Sequence, residues 1–156
     1  MIELMITTVI IGLVAAMAVP RFQIAYDRLQ FKSGNRDLTS TLKLARSLAI
    51  TDKDQYGVYF DAENLSIVLF KDATSGAYAY SSGIDSVIRA DTLPYQFSYM
   101  TTDLEGHVVF FRPNGSADFN GGGNIYTLAD TQDLLGIYGN NILASTGRIQ
   151  TISYYY

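Results

Sequence analysis

The N-terminal part of the chain is apolar over a length that can cross a lipid bilayer. Residues 4–19, with the sequence LMITTVIIGLVAAMAV, contain no charged side chain, and Pro20 and Arg21 follow directly. Together with the first residues of the chain, this run approaches the ~20 residues that a transmembrane helix needs. A buried core helix is the alternative, but such a helix normally keeps a polar stripe. Residues 1–20 are therefore predicted to form a hydrophobic helix segment that spans a membrane or is covered by other subunits. Pro20 is predicted to kink the helix, because proline removes one backbone donor.

Residues 21–52 are predicted to continue this helix as an amphipathic stalk. Their apolar face is marked by four residues that recur at steps of four, three and four, namely Leu38, Leu42, Ala45 and Ala49. Gly34 and Asn35 weaken the middle of the stalk, by ~1 kcal/mol for the glycine relative to Ala, and favour a bend there. The joined helix is expected to be ~75 Å long at ~1.5 Å per residue. A small head cannot cover that length, so the first half needs lipid or other subunits.

After Asp52 the pattern changes to short alternating segments separated by turn residues, which predict antiparallel strands. The predicted strands are, in chain order, residues 55–61, 65–71, 95–100, 107–112, 124–128, 142–145 and 148–154. The first two, the next two and the last two are each expected to pair as hairpins, while residues 73–92 are expected to form a loop. Residues 53–156 thus predict a β-rich globular head made of one antiparallel sheet, on which the second half of the helix packs. The fold class is α+β.

Composition and charge narrow the function classes. The 156 residues include no cysteine, which excludes a disulfide scaffold, a zinc–thiolate site and cysteine catalysis. Residues 21–50 carry a net charge of +4 and residues 51–156 a net charge of −7, so a basic stalk joins an apolar tip to an acidic head. The overall charge of −4 argues against a dedicated nucleic-acid binder, which usually has a basic surplus.

Glu3 is the one charged side chain in the apolar segment. A carboxylate inside hydrocarbon is costly and usually has a partner. The first turns of the helix contain no Lys or Arg, so the nearest positive group of the same chain is the terminal amine. Two interpretations stay open at this point: Glu3 lies near the lipid headgroups at little cost, or it pairs with a cation from another chain.

The basic residues that follow the span predict a cytoplasmic C-terminal portion by the positive-inside tendency.

Several segments resemble a known family. The sequence IELMITTVIIGLVAAMAVPRF is similar to the N-terminal helix of type IV pilins and type II secretion pseudopilins. Residues 42–50 (LKLARSLAI), 109–117 (VFFRPNGSA) and 146–149 (TGRI) resemble motifs of the minor pilin and pseudopilin group called GspH/FimT. The resemblance implies a structural subunit, and not an enzyme, of a type II secretion pseudopilus or a type IV pilus. Its fold would be pilin-like, with a single-pass helix packed by its second half on a sheet.

The same resemblance implies how such a subunit assembles. It places the protein in the inner membrane with its head in the periplasm, which overrides the topology expected from the positive flank. The implied partners are other pilin or pseudopilin subunits, an inner-membrane assembly platform and an ATPase. Glu3 matches the family's glutamate, which pairs with the N-terminal amine of a neighbouring subunit in the filament. No cofactor is implied. An ordinary single-span anchored domain that never polymerises is the rival hypothesis.

The start of the sequence departs from the family pattern. Family precursors carry a short basic leader ending in Gly, which prepilin peptidase removes, and methylation belongs to the same processing. Family members have a Leu directly before Ile-Glu, and in this chain Met1 stands at that position. A start codon placed too late, or a trimmed sequence, is the favoured explanation, and a basic leader is expected upstream. If the chain begins at Met1, the peptidase has nothing to cut.

Other candidate sites are weaker. His107 is the only histidine and is expected to be structural, since alone it forms neither a metal site nor a catalytic triad. Residues 118–124 (DFNGGGN) resemble a calcium loop with alternating oxygen ligands but lack a closing Glu, so a Gly-rich turn is favoured. No carboxylate pair is marked by its spacing, and no catalytic or metal-binding residue is predicted.

DNA binding is the alternative function that the resemblance suggests. Some FimT-type pilins capture DNA through a C-terminal Gly-Arg-x-Arg, and this chain has Gly147, Arg148, Ile149 and Gln150 at that place. The second Arg is replaced and the head is acidic, which repels phosphate. Arg148 is therefore a candidate DNA contact in a tip pilin that binds DNA or an adhesion ligand, and DNA binding is disfavoured. The tyrosines 154–156 are expected to serve in strand packing or subunit contact.

Overall fold

The computed structural model describes residues 2–73, 79–94, 97–129 and 136–154, and contains one long helix followed by two antiparallel sheets. Helix α1 spans Ile2–Asp52 without a break, so the two predicted helical segments form one element. It continues through Pro20, Gly34 and Asn35. The α+β class and the long N-terminal helix predicted from the sequence are confirmed.

Nine strands follow the helix in the described part of the chain. In chain order they are β1 (Tyr56–Asp61), β2 (Ser66–Lys71), β3 (Ser86–Thr92), β4 (Tyr99–Leu104), β5 (Val108–Phe111), β6 (Ala117–Asp118), β7 (Gly121–Ala129), β8 (Gly136–Leu143) and β9 (Arg148–Tyr154). The first sheet has the order β3-β2-β1-β5-β6, and the second sheet has the order β4-β7-β8-β9. The hairpins β1–β2 and β8–β9 form as the sequence predicts. The expectation of a single sheet is wrong.

The predicted hairpin between residues 95–100 and 107–112 is also wrong. β4 pairs with β7 and β5 pairs with β1, so the two strands belong to different sheets. A single 3₁₀ turn, Glu105–His107, connects them. Within it Gly106 and His107 have φ angles of 68° and 56°, in the left-handed region. These two residues redirect the chain, so that β5 joins the first sheet instead of folding back on β4.

The last part of the predicted loop 73–92 is a strand. β3 pairs antiparallel with β2, from Ser66 opposite Thr92 to Lys71 opposite Ser86. Six of its seven residues are exposed and the seventh is half-buried. An edge strand with solvent on both sides does not need to alternate apolar and polar residues. For that reason the hydrophobic pattern did not predict this strand. β8 also begins at Gly136, earlier than the predicted residue 142.

The core lies between the second half of α1 and the two sheets. The four residues of the predicted apolar face, Leu38, Leu42, Ala45 and Ala49, are all fully buried. They join Val58 and Leu69 of the first sheet and Ile125 and Ile142 of the second sheet in one cluster. Gly34 is buried against the ring of Phe97, which a side chain at this position would strike. A glycine is needed here because the helix and the Phe97 ring approach closely.

Polar contacts fix the end of α1 on the first sheet. Lys53 follows the helix with a φ of 55°, a left-handed conformation that commonly ends helices. The hydroxyl of Tyr56 donates to the Asp52 carboxylate, which raises the pKa of Tyr56. Lys71 lies 2.6 Å from Asp54, and their hydrogen bond lowers the pKa of the Asp54 carboxyl. The second half of the helix is thus held at its end as well as along its face.

We expect Leu42→Ala to lower the free energy of unfolding of the full-length protein in detergent by about 3 kcal/mol, because it empties a fully buried site. Chemical unfolding followed by circular dichroism measures the change. The matched control is Leu44→Ala, on the same helix but 38% exposed, for which a loss below ~1 kcal/mol is expected. Equal losses for the two variants would contradict the packing described here.

Candidate functional site

The first half of α1 has no covering within its own chain. Every residue from 2 to 23 is exposed, and the large apolar side chains between Ile2 and Phe22 are 54–78% exposed. An 18-residue window of this segment has a mean hydropathy of 2.3 with none of it buried, and the helix is long and apolar enough to span a membrane. An exposed apolar surface of this size marks an interaction site. The segment is consistent with membrane anchoring.

Glu3 lies in the first turn of α1, where the helix dipole favours a carboxylate. The other polar side chains of the segment are satisfied locally, since the hydroxyls of Thr7 and Thr8 donate to the carbonyls of Leu4 and Met5. No described residue forms an ion pair with Glu3. The carboxylate is therefore available to a cation from outside the described part of the chain.

A buried polar network fixes the orientation of α1 on the second sheet. The Asn140 side-chain amide on β8 donates to the Asn35 side-chain oxygen at 2.8 Å. The Asn140 oxygen accepts from the hydroxyl of Thr151 on β9 at 2.7 Å and from that of Thr39 at 3.3 Å. Asn140 is fully buried and Asn35 is 4% exposed. Because an unpaired buried amide is costly, this network specifies one register of the helix against the sheet.

A basic groove runs along the helix stalk where α1 meets β8 and β9 of the second sheet. Three adjoining concavities, of about 520, 530 and 620 Å³, follow α1 and reach β9. The middle concavity shares Lys32 with one neighbour and Lys43 with the other, which makes the three continuous. We call this surface the basic groove, and its seven cationic residues are Arg21, Arg28, Lys32, Arg36, Lys43, Arg46 and Arg148.

The lining of the basic groove is free of carboxylates, since no acidic residue lines any of the three concavities. The ion pairs among the described residues are Lys71–Asp54, Arg89–Asp91 and Arg112–Asp118, and none of them includes a cation of the groove. Arg46 donates from Nε to the carbonyl of Gly115 at 3.0 Å, which leaves its charge uncompensated. The groove therefore suits an anionic partner.

Of the residues predicted from the sequence, Arg148 alone joins this groove, beside Lys43 and Arg46. Glu3 and Pro20 lie on the first half of the helix. The net charge of +4 in residues 21–50 comes from the six cations of α1 that line the groove, but their alignment was not predicted. Their spacing of 7, 4, 4, 7 and 3 places residues 21–46 along one side of a helix. This spacing could have predicted a row of cations along the helix. The position of β9 beside that row could not be predicted from the sequence.

The other candidate residues are used in local structure. His107 is exposed in the 3₁₀ turn before β5. Asp118 pairs with Arg112, and Asn120 donates to Glu105. No group of three or more His, Asp or Glu that could hold a metal ion occurs among the described residues. Segment 118–124 runs from the end of β6 through residues 119–120 into β7, so its glycines begin a strand and do not form the expected turn.

Known structures share this architecture at low sequence identity. The minor pseudopilin EpsH from the type 2 secretion system of Vibrio cholerae superposes with a TM-score of 0.59, covering 80% of this chain and 97% of that chain at 12% identity. The type IV minor pilin FimU of Pseudomonas aeruginosa gives a TM-score of 0.55, over 80% of this chain and 90% of that chain at 17% identity. The chain has a pilin-like fold.

The likeness of this pilin-like chain to known proteins is one of structure. No protein-family model and no curated protein sequence matches it. A second crystal form of FimU gives a TM-score of 0.54 at 16% identity. Both similar proteins are pilin-type subunits and not enzymes. The resemblance noted in the sequence is thus confirmed at the level of the fold.

We expect Asn35→Ala to lower the free energy of unfolding of the pilin-like chain by about 2 kcal/mol, because it leaves the buried Asn140 amide without its acceptor. Chemical unfolding in detergent measures the loss. Ser33→Ala is the matched control, since Ser33 is exposed on the same helix, and little change is expected. A loss for Asn35→Ala no larger than that of the control would show that the network does not fix the helix.

Proposed function

We propose that this chain is a structural subunit, of the minor pseudopilin or pilin type, in a type II secretion pseudopilus or a type IV pilus. The observation that carries the proposal is the first half of α1, a helix segment that is exposed over residues 2–23 and is continuous with the half that packs on the head. A subunit that is anchored in lipid before assembly and bundled with other helices afterwards needs such a segment. The similarity of its fold to EpsH and FimU supports the proposal.

The bundling of helices supplies the burial that the chain cannot supply itself. In the bilayer, lipid covers the apolar side chains of the first half of α1. In the filament, the same side chains pack against neighbouring helices in a shared core. Residues 1–20 then act as the membrane and filament-core segment, residues 21–52 as the stalk, and residues 53–156 as the outward-facing head. Pro20 would provide the kink between the first two segments.

Glu3 sets the axial position of each subunit in this proposal. A carboxylate entering an apolar core is stabilised only when an opposite charge meets it. The N-terminal amine of an adjacent chain is the proposed partner, and it reaches Glu3 at one axial offset between neighbouring helices. A subunit placed at another height would leave the carboxylate unpaired. The pairing therefore selects one register from a helix surface that is otherwise uniformly apolar.

The proposed location is the inner membrane, crossed once, with the head in the periplasm. The partners are other pilin or pseudopilin subunits, an assembly platform and its ATPase. Prepilin peptidase would act on a leader preceding Ile2, with methylation of the new N-terminus.

We expect Glu3→Gln to reduce incorporation into fibres at least ~10-fold, because the amide cannot neutralise a neighbouring amine in an apolar core. Sheared fibres are sedimented, and the fraction of the protein in the pellet is measured by immunoblotting. Thr8→Ala is the matched control, since it lies on the same segment and bonds only within its own helix. The head should unfold at the same denaturant concentration in all variants, which excludes misfolding as the cause.

Two results would contradict the subunit role. One is incorporation of Glu3→Gln at the level of the unsubstituted protein. The other is an unsubstituted protein that stays in the membrane fraction as monomers while fibres form normally without it. The second result favours the single-span anchored domain.

A tip pilin that binds DNA is the second candidate function. The structure favours it by one observation, which is that Arg148 shares a concavity with Lys43 and Arg46. Against it, residues 51–156 carry a net charge of −7. Binding of a duplex oligonucleotide at low salt, measured by gel shift of the full-length protein in detergent, decides the matter. If DNA is the ligand, Arg148→Ala weakens binding by at least ~5-fold. No binding at low salt eliminates this candidate.

A further inference from the structure

The second sheet of the head has two open edges with opposite charge. Its order is β4-β7-β8-β9, so β4 and β9 are its outer strands. Among the described strands, β4 pairs only with β7, and β9 pairs only with β8. An open edge presents a row of unpaired backbone donors and acceptors, which is a template for another strand.

The β9 edge lacks the usual protection against such pairing. Six of its seven residues are exposed, among them Ile152 and Tyr154, which are 40% and 49% exposed. Its only charged residue is Arg148, at the beginning of the strand. Natural edge strands are commonly guarded by charges within the strand, by proline or by a bulge. An unguarded, partly apolar edge indicates a polypeptide partner, because a nucleic acid does not use a row of backbone groups.

The β4 edge carries carboxylates that no described cation neutralises. Asp103 accepts from the backbone N–H and the side-chain amide of Asn124 at 2.6 and 2.7 Å. Glu105 follows the strand and accepts from the Asn120 amide. Both acidic residues are exposed, and neither is in an ion pair with a described residue. These amide contacts hold the carboxylates in place and leave their negative charge.

The strand register places these opposite charges at the same level of the sheet. Thr102 on β4, Ile125 on β7, Asn140 on β8 and Thr151 on β9 form one row of paired residues. β4 runs from this row towards Asp103 and Glu105, whereas β9 begins at Arg148 on that same side. A second copy displaced sideways along the sheet, without being turned over, would place its β4 antiparallel to β9 of the first copy. Its Asp103 and Glu105 would then lie level with Arg148.

We propose that the β4 edge of a second copy docks beside the β9 edge of the first. Its Asp103 and Glu105 would face the end of the basic groove formed by Lys43, Arg46 and Arg148. The contact is heterologous, since each copy contributes a different edge, and such a contact leads to rings or open helical filaments. Strand direction is kept across the contact, and the twist of the sheet rotates each copy relative to the previous one. The inference deepens the proposed subunit role by naming the surfaces through which neighbouring heads meet.

A charge swap tests the contact in the full-length protein in detergent. Arg148→Glu and Glu105→Arg are each expected to weaken self-association by ~10-fold or more, because each places like charges face to face. Combined in one chain, they restore an opposite pair, and the dissociation constant is expected to return to within ~3-fold of the original. Sedimentation velocity measures all three. Lys53→Glu is the control, since Lys53 is exposed but lines none of the three concavities.

Cysteine crosslinking tests the register independently. Thr101 and Ile152 lie in one row of the sheet, through Tyr126 and Gly139, on opposite edges. The natural chain has no cysteine, so background disulfides are absent. In the Thr101→Cys, Ile152→Cys double variant, oxidation should give a ladder of dimers and higher oligomers, because paired edges bring the Cα atoms within ~5.5 Å. Each single variant is the control and should give no ladder.

Three outcomes would overturn the proposal. The first is self-association that neither single reversal changes. The second is self-association that both reversals weaken but their combination does not restore. The third is loss of duplex oligonucleotide binding in Arg148→Glu while self-association stays unchanged. The last outcome assigns the groove to nucleic acid. The subunit role stands separately, since fibre incorporation and its dependence on Glu3 are measured without these variants.

Discussion

The structure depends on one continuous helix whose two halves need different surroundings. The second half is buried by the head, where Leu38 and Leu42 are fully covered. The first half is exposed from residue 2 to residue 23. Because α1 continues as one helix through Pro20, the position of the first half is tied to that of the head, although Pro20 leaves one helix carbonyl without its backbone donor. Whatever buries the first half also positions the head, and a lateral contact between two heads constrains where their apolar segments meet.

The buried asparagine network connects this constraint to the second sheet. An apolar face alone permits a helix to slide on a sheet by a turn at modest cost, since Leu and Ala side chains can exchange contacts. The bonds of Asn140 to Asn35 and Thr151 allow one position only. The same bonds hold β9 against α1, and β9 forms one wall of the basic groove. The groove is thus a consequence of how the helix is fixed.

The sequence was sufficient to predict elements whose pattern follows from burial on one side. The helix was predicted from its apolar run and from the spacing of Leu38 to Ala49, and the hairpins β1–β2 and β8–β9 from alternation around short turns. β3 was not predicted because both of its faces are exposed to solvent, so its sequence does not alternate between apolar and polar residues. The assignment of β4 and β5 to different sheets depends on backbone angles at Gly106 and His107, and a histidine in the left-handed region is not predictable from pattern. Strand order, and with it the groove, requires long-range pairing that no local pattern encodes.

The strand order shows where the basic residues of the stalk and the acidic residues of the head lie relative to each other. The basic stalk already packs on the acidic head, but no acidic residue lines the basic groove. The cations of the groove are therefore open to attraction by carboxylates of another molecule. In the proposed contact, the cations beside β9 of one copy meet Asp103 and Glu105 of the next, whereas a copy that is turned over would bring like charges together. The charges would then select the orientation, and burial of the apolar segments would favour association without setting a direction.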